Sequence, residues 1–111
     1  MSHFKELLSI EEVEFFIDQN TLAFLYIFQQ NCSVCHGLEP QIKTMLDKYP
    51  AIRARSIDAS KVTEVAGYFT VFTAPVLLLF VNGKEYIREA RFVQTDLLDY
   101  RLARIHENMV D

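Results

Sequence analysis

Cysteine occurs twice in this chain, at Cys32 and Cys35, inside the stretch FQQNCSVCHGLEP (residues 28–40), with His36 directly after the second. Two thiols separated by two residues admit four kinds of chemistry. They can be a redox pair; they can supply two of the four ligands of a tetrahedral zinc site; with His36 they spell C-x-x-C-H, the attachment signature of c-type haem; or they can be two buried thiols behaving as small hydrophobes. A zinc site would need two further ligands, and His3 and His106 are the remaining imidazoles. Redox use requires the thiolate, and a free cysteine titrating near ~8.5 is mostly protonated at neutral pH. The elements around the motif must therefore supply something that favours the anion.

Those elements are legible in the periodicity. Ser9 followed by Glu12 is a capping-box pattern, and Ile10, Val13, Phe16 and Ile17 recur at helical spacing, which predicts a helix from about Ile10 to Gln19. LAFLYIF (residues 22–28) is an unbroken apolar run of strand length, suited to the middle of a sheet covered on both faces. From Ser33 a longer helix carries Leu38, Ile42, Met45, Leu46 and Tyr49 on one side, loses a donor at Pro40 and stops at Pro50. The cysteines fall in its first turn, where unpaired N–H groups and aligned peptide dipoles stabilise an anion.

AIRARSI (residues 51–57) alternates apolar and polar residues like a strand near a sheet edge, so strand, helix and strand form a right-handed parallel crossover. Asp58 or Ser60 is placed to cap a short helix with Val62, Val65, Ala66 and Phe69. Two strands, residues 76–81 and 84–92, flank Asn82-Gly83, the dipeptide of a type I′ hairpin turn. A last helix opens at Gln94 or Thr95 and carries Leu98, Leu102, Ile105 and Met109. The order α-β-α-β-α-β-β-α makes an α/β fold: a central mixed sheet with helices on both faces, ligand chemistry being expected where the strand 22–28 runs into Cys32.

The bulk numbers bound the function. The 111 residues, half of them hydrophobic and 23% charged, make a single domain with its own core, without repeat or linker. The net charge of -4 and the scattered Lys and Arg offer no cationic stripe for nucleic acid. The N-terminus carries Glu6, Glu11, Glu12, Glu14 and Asp18 where a secretory leader is basic and apolar, and the longest apolar runs are too short to span a bilayer. A cytoplasmic protein with no membrane association is the expectation. In that compartment a close cysteine pair is more often catalytic or metal-binding than a structural staple.

The apolar strand, the C-x-x-C opening a helix, Pro40 eight residues after Cys32, Ala74-Pro75 before the hairpin and the run LLLFVNGKE together resemble the thioredoxin superfamily over roughly residues 10–108. The resemblance implies a three-layer thioredoxin-like fold and a thiol–disulfide oxidoreductase that works without a cofactor. Cys32 is then the nucleophile that attacks a protein disulfide. Cys35 is the resolving thiol that releases the reduced substrate, leaving a Cys32–Cys35 redox disulfide to be reopened by a reductase or a low-molecular-weight thiol. Pro75 takes the family's cis position, where the backbone of the preceding Ala74 pairs with an extended substrate segment.

The chain also departs from the family. It has no tryptophan, and Gln29, Gln30 and Asn31 stand where an apolar lip usually borders the nucleophile. The family's buried aspartate falls on Tyr26, a phenol and a poor base at neutral pH, which leaves water, His36 or Glu39 to receive the proton of Cys35. A partner-specific adaptor or sensor with the same fold is the alternative function. The nine phenylalanines, Phe15, Phe72 and Phe92 among them, read as core, and Glu39 with Lys43, spaced i and i+4, as a surface pair.

Overall fold

The computed structural model describes residues 3–109. Nine elements follow one another: β1 (Glu6–Leu7), α1 (Ile10–Gln19), β2 (Leu22–Phe28), α2 (Ser33–Leu46), β3 (Arg53–Asp58), α3 (Val65–Phe69), β4 (Val76–Val81), β5 (Lys84–Ala90) and α4 (Thr95–Met109). The strands form one mixed sheet in the order β1-β3-β2-β4-β5. β1 and β2 run parallel to β3, while β4 pairs antiparallel with both β2 and β5.

Strand β2 is central because six of its seven residues are buried on both faces, which is what a continuous apolar run demands. Its alternate side chains divide the core. Ala23, Leu25 and Ile27 face Val13 and Phe16 of α1 and Val65 and Phe69 of α3. Leu22, Phe24 and Tyr26 face Ile42 and Leu46 of α2 and Leu98 and Leu102 of α4. This is the expected three-layer α/β arrangement. The Asn82-Gly83 turn has positive φ at both residues, 52° and 82°, as a type I′ turn requires.

Several boundaries differ from the sequence reading. β1 was not foreseen: two residues carry no periodicity, and the strand exists only through its pairing of Glu6 with Ser56 and Leu7 with Ile57. Helix α2 ends at Leu46, and Lys48, Tyr49 and Ile52 make i, i+3 turns before β3 starts at Arg53. Pro50 disfavours helical geometry at the residue before it, so the helix unwinds ahead of the proline. Asp58 closes β3 and caps a turn, its Oδ1 accepting the Ser60 N–H at 2.8 Å, so that α3 begins later and without a side-chain cap. Strand β5 stops at Ala90 because Arg91 takes a left-handed φ of 65°. Phe15, Phe72 and Phe92 are exposed, at 68, 78 and 84%, so they are not part of the core.

Candidate functional site

The site begins where β2 ends. Phe28 leads through Gln29, Gln30 and Asn31 into Cys32, the N-cap residue of α2, whose extended backbone (φ −100°, ψ 97°) turns the chain into the helix. The Cys35 N–H donates to Cys32 Sγ at 3.1 Å, so the sulfur occupies the place of a capping oxygen over the free amides of the first turn. Cys32 and Cys35 are joined by a disulfide with their Cα atoms 5.2 Å apart. Cys32 is half-buried and Cys35 is 1% exposed, which presents one sulfur outward and keeps the other beneath it.

Strand β4 brings in the second part. Val76 pairs with Ile27, so Pro75 lies beside the end of β2 where the cysteine loop departs. The Ala74–Pro75 peptide bond is cis. Pro75 is buried and Ala74 half-buried, and the Pro75 carbonyl accepts the Arg91 N–H at 2.9 Å. Topology thus gathers Cys32, Cys35, Ala74 and Pro75 at one end of the two central strands.

Tyr26 lies under the motif, fully buried on the α2 face of β2. Its hydroxyl donates to the Cys35 carbonyl at 2.5 Å, and its ring lies 6.0 Å from that of Phe4. Burial first, and then the nearby charge of Glu39, push its pKa far above the ordinary phenol value. It is a fixed donor and no base. His36 points outward, its Nε2 2.9 Å from the Gln30 carbonyl and its ring edge-on to Phe28.

Glu39 corrects the sequence reading. It is only 5% exposed, its Oε2 accepts the His3 N–H at 3.1 Å, and Lys43 pairs with Asp47 instead. The signal was present in the sequence, since Cys35, Glu39, Ile42 and Leu46 form the buried stripe of α2 at i, i+4, i+7 and i+11. Glu39 borders a cleft of about 220 Å³ that it shares with Glu6, His36, Asp58 and Lys61. Among the described residues, no three His, Cys, Asp or Glu side chains converge to hold a metal, and no helix is long and apolar enough to cross a membrane.

Comparisons with known proteins agree with this architecture. The thioredoxin family profile matches residues 6–100. The chain is 45% identical over 106 residues to the thioredoxin-like protein YdfQ of Bacillus subtilis, covering 96% of this chain and 95% of that one. Among solved structures it resembles thioredoxin from Trypanosoma brucei brucei (TM-score 0.84, 16% identity, 94% of this chain and 91% of that one). It also resembles a chain from work on the thiol resolving mechanism in yeast mitochondrial 1-Cys peroxiredoxin via glutathione/thioredoxin systems (TM-score 0.79, 18% identity, 88% and 92%). At these identities the two structures speak to the fold. A cysteine pair closing a disulfide at the start of a helix carries thiol–disulfide redox chemistry, the general chemistry of an oxidoreductase. By the profile match, the nearly full-length Bacillus relative and the site geometry, this chain belongs to the thioredoxin family.

Proposed function

We propose that this protein reduces or exchanges protein disulfides by a two-cysteine cycle. The observation that carries the reading is the seat of Cys32 at the N-cap of α2, half-buried, with the buried Cys35 within bonding distance. In the reduced protein the first-turn amides and the helix dipole favour a thiolate at Cys32. That thiolate attacks one sulfur of a client disulfide and forms a mixed disulfide. Cys35 then attacks Cys32 Sγ, the client leaves as a dithiol, and the Cys32–Cys35 bond remains. The backbone at Ala74, beside the end of β2, is where an extended client segment pairs.

A reductase or a low-molecular-weight thiol reopens the pair, a cycle suited to the thiol-rich cytoplasm. The peroxiredoxin named for the yeast structure is one example of the protein-thiol clients that this class of chemistry serves. A second reading, a partner-specific adaptor or sensor, is favoured by Tyr26, a donor where a resolving thiol would use a base.

One pair of measurements separates them. Under the first reading a Cys35→Ser variant accumulates mixed disulfides with client proteins, identified by mass spectrometry, and the wild type reduces insulin catalytically with dithiothreitol. Trapping and turnover no greater than the thiol background would leave the adaptor.

A further inference from the structure

We propose that Glu39 is the group that takes the proton from Cys35 when the internal disulfide closes; this rests on the two-cysteine cycle above. Cys35 is 1% exposed, so bulk water does not reach its thiol, yet the thiol must lose a proton to attack. Tyr26 already donates its own hydrogen to the Cys35 carbonyl. His36, one residue along the helix, faces away and engages the Gln30 carbonyl. Glu39, one turn on from Cys35 along the buried stripe of α2, is a carboxylate close enough to Tyr26 for its charge to act on the phenol.

The sheet continues the route. Across β1, β3 and β2 the register aligns Glu6, Ser56 and Tyr26, with Asp58 opposite Phe28 in the next polar row. These rows place polar side chains on the face that α2 covers. Asp58 is held on both oxygens, by the Ser60 N–H and by Gln30 Nε2. The buried Glu6 Oε2 has no hydrogen-bond partner and lies 3.5 Å from Lys61 Nζ. Glu39 thus sits four residues from Cys35 on the buried side of α2 and also lines a polar cleft.

The step balances. The Cys35 sulfur bonds to Cys32 Sγ, the bond between Cys32 and the client sulfur breaks with its electron pair going to the client, and the Cys35 proton passes to the Glu39 carboxylate. From there it leaves through the cleft to solvent or to the released client thiolate. Glu6 from β1, Asp58 at the end of β3, Lys61 in the turn after it and His36 on its own helix line the cleft with Glu39, the His3 N–H donates to its Oε2, and its charge reaches Tyr26 of β2.

The test uses the full, reduced chain and 5,5′-dithiobis(2-nitrobenzoate) in stopped flow. The first thionitrobenzoate reports attack by Cys32 and the second reports closure by Cys35. With Glu39 as acceptor, the wild-type second phase is nearly flat from about pH 6 to 8, and Glu39→Gln slows it at least about tenfold at pH 6 while leaving the first phase within about threefold. The sign discriminates: a carboxylate acting only through its charge suppresses the Cys35 thiolate, so its removal would leave the second phase unchanged or make it faster, and either result overturns the proposal. So does a wild-type second phase rising about tenfold per pH unit, which is readable even if the variant does not fold. A flat profile lost in His36→Gln and kept in Glu39→Gln would move the role to His36. A wild type releasing a single thionitrobenzoate refutes the two-cysteine cycle itself, and this assignment with it.

Discussion

Cys35 is immobilised by a neighbour whose chemistry differs from the carboxylate the family resemblance leads one to expect. The Tyr26 hydroxyl spans from β2 to the Cys35 carbonyl and, with its pKa driven upward by burial and by Glu39, stays protonated wherever the protein is folded near neutrality. Tyr26→Phe keeps the ring against Phe4 and removes one hydrogen bond to a buried carbonyl, for an expected loss of about 1–3 kcal/mol. A shift of the urea midpoint at constant m measures it, and an unchanged midpoint would deny the bond any structural weight. Outside the core, Val34 between the cysteines and Phe72 two residues before Ala74 are 61 and 78% exposed. Under the two-cysteine cycle, with clients pairing at Ala74, Phe72 is expected to touch protein clients. Phe72→Ser is expected to leave stability within about 0.5 kcal/mol, since it is a surface change. The same variant should lower kcat/KM for insulin several-fold while sparing a small aromatic disulfide. Equal loss on both substrates would place Phe72 outside client docking.

Among the helices, α3 is the weakest by construction. It has five residues, no side-chain cap at Glu64, and ends on Thr70 with φ 56°, a left-handed value that β-branched residues rarely adopt. Glycine takes that conformation freely, so Thr70→Gly is expected to stabilise the protein by about 0.5–1 kcal/mol after its greater unfolded-state entropy is subtracted. Differential scanning calorimetry reads this as a higher Tm, and a lower one would mean that Thr70 makes compensating contacts. The same element shows how far sequence carries the fold. Ser9, β2 and Asn82-Gly83 were legible because each is decided locally: Ser9 Oγ accepts the Glu12 N–H at 3.1 Å and Glu12 reaches back to the Leu8 N–H, while the hairpin turn depends on two adjacent residues. The start of α3, strand β1 and the exposure of Phe72 were not, since each depends on what other segments occupy. Glu39 is the instructive case. Pairing it with Lys43 by charge hid its place on the stripe that begins at Cys35, and hydrophobic position decided which way it faces.

At the scale of the whole molecule, tyrosines and carboxylates tie the layers together and set the pH range of stability. Tyr49 Oη and Lys48 Nζ both reach Asp99, fastening the exit of α2 to α4, and Tyr68 Oη donates to Glu14, fastening α3 to α1. Asp99 is held below the usual carboxylate range by its bonds to Lys48 and Tyr49, and Glu85 by its bond to Arg88. Tyr26 is raised chiefly by burial, Tyr49 by burial and then by Asp99, and Tyr68 by its bond to Glu14. A lowered carboxylate contributes stability that is present above its unfolded value, about 4, and lost as pH falls through the folded one. A raised phenol contributes stability that is present below its unfolded value, about 10, and lost as pH rises through that value toward the folded one. Urea midpoints of the disulfide form, in which neither cysteine titrates, are therefore expected to be level from about pH 5 to 9 and to fall on both sides. Tyr26→Phe should flatten the alkaline limb more than Tyr49→Phe or Tyr68→Phe, because Tyr26 is wholly buried and its phenol is displaced furthest. If the alkaline limb survives unchanged in Tyr26→Phe, the charge that cannot be buried beneath Cys35 is not what limits the fold at high pH, and the surface tyrosines carry that limb.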